Sequence, residues 1–491
     1  MSLLDAVRSI LGIKPVKVGD LAATVSPHPT ARRPSGRQVA AESIADIEVI
    51  PEYQQVCALL SAEAPLLFVS GGAGTGKSTL IRYLRNKLTS RIAVVAPTGV
   101  AALNARGVTI HSLFRLPPKI IQPSDIKQVY DRQLYRKLDL LIVDEVSMVR
   151  PDLLDGVDRF LRLNRDSEAP FGGVKVLLIG DLFQLPPVAS EDEQRALRQM
   201  KYATDFFFSS TGIADCPLVP VLLQRVFRQT DPGFISLLND LRQGKGVPEA
   251  LRTINSRCVG AAPGDDHELV LTCTNHAADE RNRREMSRLT SAPQTYTGSI
   301  TGDFRIEKTR LPAPAHLVLK SGAQVMFTKN DDNKRWVNGT IGKVVSLGKR
   351  TAKVEIEHAS LSETVEVEPV TWEQYRYEYD PIEDRITAKV VGRYTQLPLM
   401  LAWAVTIHKA QGNTLGRVFA DLGHRAFAAG QVYVALSRVR SLEDLRLARP
   451  IREDEVRCDP NVTRFYMQLI QMTQIGAGEQ TLAADADKPR R

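Results

Sequence analysis

Two α/β units, each built on a parallel sheet, with a small β-barrel inserted into the second, make up the fold class this sequence predicts. Three observations carry it. Four short apolar runs, at 66–69, 92–96, 140–143 and 175–179, alternate with helical or loop stretches, as the buried strands of a parallel sheet do. A second series follows at 269–271, 401–405, 418–420 and 445–447. Residues 340–395 change character to apolar/polar alternation, as in Lys353-Val354-Glu355-Ile356-Glu357 and Glu363-Thr364-Val365-Glu366-Val367. That is the period of short half-buried strands in a small barrel.

From the N-terminus, Leu3, Leu4, Val7, Ile10 and Leu11 recur at helical spacing, which reads either as a docking helix for a protein partner or as a frayed terminal turn. Residues 13–40 carry Pro15, Pro27, Pro29 and Pro34 with Arg32, Arg33 and Arg37 and few apolar side chains, so residues 1–40 are expected to form a flexible basic tail. The first α/β unit is expected over 41–215, the second over 216–474 with its insertion near 340–395, and a loose polar tail over 475–491. A stretch near 116–136, with Pro117, Pro118 and Pro123, interrupts the first unit and carries no clear hairpin turn signal.

The length of 491 residues leaves room for several domains with sizeable cores. Lys and Arg number 64 against 56 Asp and Glu, a net charge of +8 that leans mildly towards polyanionic partners such as nucleic acid. Hydrophobic residues at 43% and charged residues at 24% exclude a wholly disordered, collagen-like or coiled-coil chain. No apolar run approaches about 18 residues, so no membrane span is expected. Cys57, Cys216, Cys258, Cys273 and Cys458 are odd in number and form no C-x-x-C pair, which argues against a disulfide framework and a zinc site. The first dozen residues show no secretory signal pattern, and the expected compartment is the cytoplasm.

The chemistry begins after the first apolar run, at Gly71-Gly72-Ala73-Gly74-Thr75-Gly76-Lys77-Ser78, which fits G-x-x-x-x-G-K-[ST]. The glycines permit a backbone nest of N–H groups around phosphates, Lys77 reaches the β and γ phosphates, and the Ser78 hydroxyl is a Mg²⁺ ligand. Leu140-Leu141-Ile142-Val143-Asp144-Glu145 places two acids at the end of another buried strand. Asp144 there can hold the Mg²⁺ shell, and Glu145 can take a proton from the water attacking the γ phosphate. A further strand ends in Gly180-Asp181-Leu182-Phe183-Gln184-Leu185-Pro186-Pro187, where Gln184 is placed to sense a γ phosphate.

Longer strings carry a resemblance. Ala96-Pro97-Thr98-Gly99-Val100-Ala101-Ala102, Thr109-Ile110-His111-Ser112-Leu113-Phe114, Pro170-Phe171-Gly172-Gly173, Val226-Phe227-Arg228-Gln229, Arg335-Trp336-Val337-Asn338-Gly339-Thr340, Thr406-Ile407-His408-Lys409-Ala410-Gln411-Gly412 and Tyr433-Val434-Ala435-Leu436-Ser437-Arg438 stand in the order found in the PIF family of DNA helicases. Together they cover residues 50 to about 450, and RecD-like helicases match the middle strings less well.

The resemblance implies two RecA-like P-loop domains holding ATP and Mg²⁺ between them, an SH3-like barrel in the second, and a small wedge near 116–136. It implies that Arg228 and Arg438 are arginine fingers, that Thr79 and Gly412 join the nucleotide contacts, and that a glutamine reads adenine, either Gln54 or its neighbour Gln55. It implies a DNA channel lined by Thr98, His111, Phe114, Thr274, Asn275, Thr406, His408 and Lys409. Phe114 is read either as a base-stacking platform or as a core residue, and His111 as a cleft-side or an interior histidine. The implied function is an ATP-dependent helicase, a monomer moving 5′→3′ on single-stranded DNA and acting at single-strand/duplex junctions. The alternatives are a helicase of opposite polarity or one acting on RNA, or a nucleotide-dependent DNA-binding remodeller.

Overall fold

The computed structural model describes residues 47–486, apart from 63, 89–90, 260–267, 305, 307–310, 359–360, 424–425 and 427. The N-terminal docking helix and basic tail lie outside the described residues. Helix α1 (Pro51–Ser61) leads into β1 (Leu66–Gly71), the phosphate loop and helix α2 (Lys77–Lys87). There follow β2 (Ile92–Ala96), helix α3 (Gly99–Asn104), β3 (Val108–Thr109), β4 (Leu140–Val143), helix α4 (Pro151–Arg165), β5 (Lys175–Gly180) and β6 (Leu218–Leu223). All six strands form one parallel sheet in the order β3-β2-β4-β5-β1-β6.

The apolar runs are strands because both faces of this sheet are covered. Leu66, Phe68, Leu141, Val143, Val176 and Leu178 face one core, while Leu67, Val69, Leu140, Ile142, Leu177 and Ile179 face the other. Alternate side chains of a strand point to opposite faces, so each face needs its own apolar set and the run becomes continuous. The first unit extends past the expected boundary at 215. Strand β6 pairs with β1 from Leu66↔Leu218 to Gly71↔Leu223 and belongs to the first sheet.

Beyond β6 come helix α5 (Pro232–Gln243), β7 (Leu269–Thr272) and helix α6 (Asn275–Arg288). Antiparallel strands then occupy β8 (Gln294–Thr297), β9 (Ser299–Gly302), β10 (His316–Leu319), β11 (Gln324–Phe327), β12 (Ile341–Leu347), β13 (Ala352–His358), β14 (Leu361–Val367), β15 (Val370–Asp380), β16 (Arg385–Gln396) and β17 (Leu399–Leu401). The chain returns through β18 (Ala404–Thr406), helix α7 (Ile407–Ala410), β19 (Val418–Asp421), helix α8 (Gln431–Leu436), β20 (Leu445–Leu447) and helix α9 (Pro460–Ala486). A second parallel sheet has the order β18-β7-β19-β20.

The antiparallel region is wider than the alternation at 340–395 indicated. A five-stranded sheet β14-β13-β12-β11-β17 encloses its own core, including Val325, Phe327, Val344, Val354, Ile356 and Trp336. The long hairpin β15–β16 instead pairs with β9 and reaches the first unit. There the Tyr377 hydroxyl accepts the Val94 N–H at 3.0 Å, and Asp384 pairs with Arg91 at 2.9 Å and Lys137 at 3.3 Å.

The segment near 116–136 is mostly loop, with a 3₁₀ turn at Pro123–Asp125 and a short helix beginning at Gln133, and it is tethered to α4. Ile121 and Val129 donate their N–H groups to Asp152 and Asn164 of α4, both at 2.8 Å, while Tyr130 stands fully exposed. At the other end of the chain, α9 crosses back to the first unit, where Phe465 stacks on Phe208 with ring centroids 4.4 Å apart. The expected loose tail from 475 is helical as far as Ala486, since its Ala, Gln, Glu and Leu residues favour continuation of α9.

Candidate functional site

The phosphate loop, Thr98, Asp144, Glu145 and Gln184 all follow the ends of parallel strands, where ligands of α/β sheets bind beyond the carboxyl edge. The phosphate loop leaves β1, with Gly74 and Gly76 at φ +78 and +88. Gly76 has a second reason to lack a side chain, since a Cβ there would lie 2.4 Å from the Tyr53 hydroxyl. That hydroxyl donates to the Gly76 carbonyl at 2.7 Å, so α1 braces the loop through Tyr53, a residue the sequence reading missed. Gln54 and Gln55 are both exposed on the same helix.

Lys77 folds over the loop and donates to the carbonyls of Gly71 and Gly72, both at 2.9 Å. Burial lowers its pKa, opposed by the carboxylates of Asp181 and Glu145. Asp144 and Glu145 follow β4, and Glu145 takes a left-handed conformation at φ 49. Burial and then the adjacent Glu145 carboxylate push Asp144 up to about 7. Burial raises Glu145 as well, against the pull of Lys77. The Oε2 atom of Glu145 is buried with no hydrogen-bond partner. Asp144 and Glu145 repel each other, and Ser78 in the first turn of α2 is exposed; carboxylate and hydroxyl oxygens are donors of the kind a hard divalent cation takes.

The cations of the second unit close this cleft. Phe227 donates its N–H to the Gly74 carbonyl at 2.8 Å, and a Cβ at Gly74 would lie 2.5 Å from the Arg228 Cβ, so the Arg228 segment rests on the phosphate loop. Arg228 donates to Thr414 Oγ1 at 3.0 Å and to the carbonyls of Ser437 and Gly412, both at 3.1 Å. Gly412 thus helps hold the Arg228 guanidinium. Arg438 is 1% exposed and donates to the Val434 carbonyl at 2.7 Å and Ser437 Oγ at 2.8 Å. Burial and then the charge of Arg228 bring its pKa down to about 9. The hydrogen bonds of both guanidiniums, half-buried Arg228 and buried Arg438, run to neutral oxygens of the second unit.

Gln184 donates to Asp181 Oδ2 at 3.2 Å and accepts from Gln411 at 3.1 Å. Asp181, Arg242, Tyr433 and Gln411 are further site residues the sequence reading did not single out. Asp181, Tyr433 and Gln411 lie inside the matched strings, which was the available signal. Arg242 lies outside them.

The residues assigned to a DNA channel fall into two groups. Thr98, Thr274 and Thr406 each cap the helix that follows a parallel strand, accepting N–H groups of Ala101, Ala277 and Lys409. Asn275, His408 and Lys409 are exposed beside two of these caps. Phe114 is a correction: it is 0% exposed and packs edge-on against Phe160 with centroids 5.5 Å apart, so it is core and has no face free to stack on a base. The short turn Ile110–Leu113 points its apolar residues inward, and Phe114 follows them. His111 is half-buried, its Nδ1 lying 3.2 Å from the Leu116 carbonyl, and burial lowers its pKa. No described helix is long and apolar enough to cross a membrane.

The model of the PIF1-like helicase family matches residues 51–247. The chain is 34% identical over 477 residues to the ATP-dependent DNA helicase PIF1 of Emericella nidulans, covering 84% of this chain and 62% of that protein. It is 32% identical over 450 residues to the ATP-dependent DNA helicase Pif1 of Bdellovibrio bacteriovorus, covering 89% of this chain and 96% of that one. The chain thus spans less than two thirds of the fungal relative and nearly all of the bacterial one. Among solved structures, Bacteroides Pif1 in complex with ADP-AlF4 superposes with a TM-score of 0.80 at 34% identity, covering 87% of this chain and 98% of that chain. Bacteroides Pif1 bound to single-stranded DNA gives 0.62 at the same identity, covering 86% of this chain and 97% of that one.

Proposed function

The chain belongs to the PIF1-like helicase family of ATP-dependent DNA helicases, and we propose that it moves 5′→3′ along single-stranded DNA and unwinds duplexes at single-strand junctions. In this reading the two parallel sheets are RecA-like motor domains, and the antiparallel insert is an SH3-like element beside the strand. The observation that carries it is the charge pattern of the cleft. Half-buried Arg228, whose Cβ rests against Gly74, and buried Arg438 have no carboxylate hydrogen bond, beside a phosphate loop whose lysine bonds only to backbone carbonyls. A nucleotide triphosphate supplies the missing anion.

On ATP binding, Lys77 exchanges the Gly71 and Gly72 carbonyls for the β and γ phosphates, and the loop N–H groups surround them. Glu145, raised by burial, accepts the proton of the attacking water. Arg228 and Arg438 stabilise charge on the transferring phosphoryl group as planar forks. Ser78 and Asp144 would hold Mg²⁺, which when bound offsets the phosphate charge. Loss of the γ-phosphate contacts after hydrolysis favours an open cleft, and alternate gripping of the strand by the two domains turns opening and closing into movement.

The grip is assigned to the helix caps at Thr98, Thr274 and Thr406, with Asn275, His408 and Lys409 beside the last two. Hydroxyls, amides and a lysine bind phosphates without reading sequence. Bacteroides Pif1 bound to single-stranded DNA supports a DNA partner for this chain. The test is DNA-stimulated ATP hydrolysis by Lys77→Ala and Glu145→Gln. Both should be inactive, while Glu145→Gln retains nucleotide binding, because it removes a base and no phosphate contact. Substantial turnover in either variant would remove those residues from the chemistry.

A further inference from the structure

A buried ion pair joins the two units beside the phosphate loop, and the hydrolysis chemistry above makes no use of it. Asp181, just past the end of β5, accepts from Nε and Nη2 of Arg242 at 3.0 and 2.9 Å. The carboxylate is wholly buried and the guanidinium side chain 5% exposed. Arg242 lies on α5 of the second unit and packs against the rings of Phe183 and Tyr466 at 4.7 and 5.2 Å. Taking two charges out of water is costly even when they are paired, so the pair is weak evidence for stability alone.

What the pair does is orient a hydroxyl. Tyr433, on α8 of the second unit, donates to Asp181 Oδ2 at 3.2 Å. The same hydroxyl accepts the Ala73 N–H of the phosphate loop at 2.8 Å. An ionised carboxylate only accepts, so the one proton of the hydroxyl must point at Asp181 and its lone pairs at Ala73. Arg242 keeps the carboxylate ionised, and burial keeps the phenol protonated. The direction of the loop contact is therefore set by the ion pair behind it. From the other side, Gln411 donates to Gln184, which donates to the same Asp181 oxygen, so the line of bonds continues to the 406–412 segment.

We propose that Tyr433 is a positioning residue for ATP binding: its hydroxyl, oriented by the Asp181–Arg242 pair, holds the Ala73 end of the phosphate loop only while the two units are closed. Ala73 and Asp181 belong to the first unit, Arg242 and Tyr433 to the second. Opening the cleft breaks the loop contact and the ion pair together, and so couples domain closure to the shape of the nucleotide site. The inference rests on the nucleotide reading given above.

The test uses the full chain with saturating single-stranded DNA. Tyr433→Phe keeps the packed ring and deletes only the hydroxyl. The KM for ATP should rise roughly threefold to tenfold, as the loss of one hydrogen bond implies, with kcat unchanged. Asp181→Asn should also raise KM, and adding Tyr433→Phe to it should raise KM no further, because both changes break one linked contact. An unchanged KM in Tyr433→Phe, or fully additive effects, would overturn the proposal. So would a fall in kcat that tracks a fall in unfolding midpoint, since that pattern belongs to a packing residue. A wild-type chain that fails to hydrolyse ATP would instead sink the nucleotide reading, which the same assay registers separately.

Discussion

Arg438 shows what the cleft asks of single residues: a guanidinium 1% exposed, brought down to about 9 by burial and by the charge of Arg228, with no carboxylate hydrogen-bonded to it. Such a charge is tolerated where an anion completes the site. Arg228→Ala and Arg438→Ala should each lower kcat for DNA-stimulated hydrolysis by about 10³-fold or more, with smaller effects on single-strand affinity, as steady-state kinetics and strand binding would measure. A variant that hydrolyses normally but loses DNA would move that arginine to the strand channel. These arginines were legible because they stand inside long matched strings. Phe114 stands in such a string too, but a string does not record which way a ring points, and packing against Phe160 and Tyr135 takes it into the core. The Asp181–Arg242–Tyr433 contact could not be read at all, because its partners are 61 and 252 residues apart and no local pattern links them.

Strands buried on both faces announce themselves as continuous apolar runs, which is why β1, β2, β4 and β5 were found to within two residues. Strand β6 is as apolar, yet it enters the first sheet only through tertiary pairing with β1, and that membership leaves no mark on its own sequence. The hairpin β15–β16 was legible as alternating strands but not as a strap. Tyr377→Phe should leave the Val94 N–H without its acceptor and cost about 1–3 kcal/mol in urea unfolding. An unchanged midpoint would show that the strap does not bear on stability. The turn Glu453–Glu455 offers a pH test. Burial alone would push Glu455 up, but two bonds from Arg449 and the N–H groups of Arg452 and Ala426 hold it at about 2, against an ordinary 4.5. A depressed folded-state pKa stabilises above the unfolded value and loses that stabilisation as pH falls through the folded one. Glu455→Gln should therefore destabilise by roughly 3–5 kcal/mol at neutral pH, the cost of breaking a buried pair, and the gap to wild type should close between pH 4.5 and 2. A gap independent of pH in acid-unfolding curves would contradict this.

For the whole molecule, we propose a nucleotide site shared by two units and coupled to a strand grip at the carboxyl edges of both sheets. If the grip is made of phosphate contacts, affinity for single strands should fall steeply with salt and vary little with base order in a titration at several ionic strengths. A salt-resistant preference for one sequence would indicate base-edge reading. Two similar parallel-sheet units could run either way along a strand, and the proposed 5′→3′ direction is argued from sequence. It rests on the Thr98–Ala102, Thr109–His111 and Thr406–Lys409 strings. The most direct measurement is ATP-dependent strand displacement on duplexes carrying a single 5′ or a single 3′ tail, with Glu145→Gln as the hydrolysis-dead control. The 5′-tailed duplex should open with ATP, the 3′-tailed one should stay almost untouched, and the control should open neither. Faster opening of the 3′-tailed duplex, or displacement by the control, would contradict the proposal.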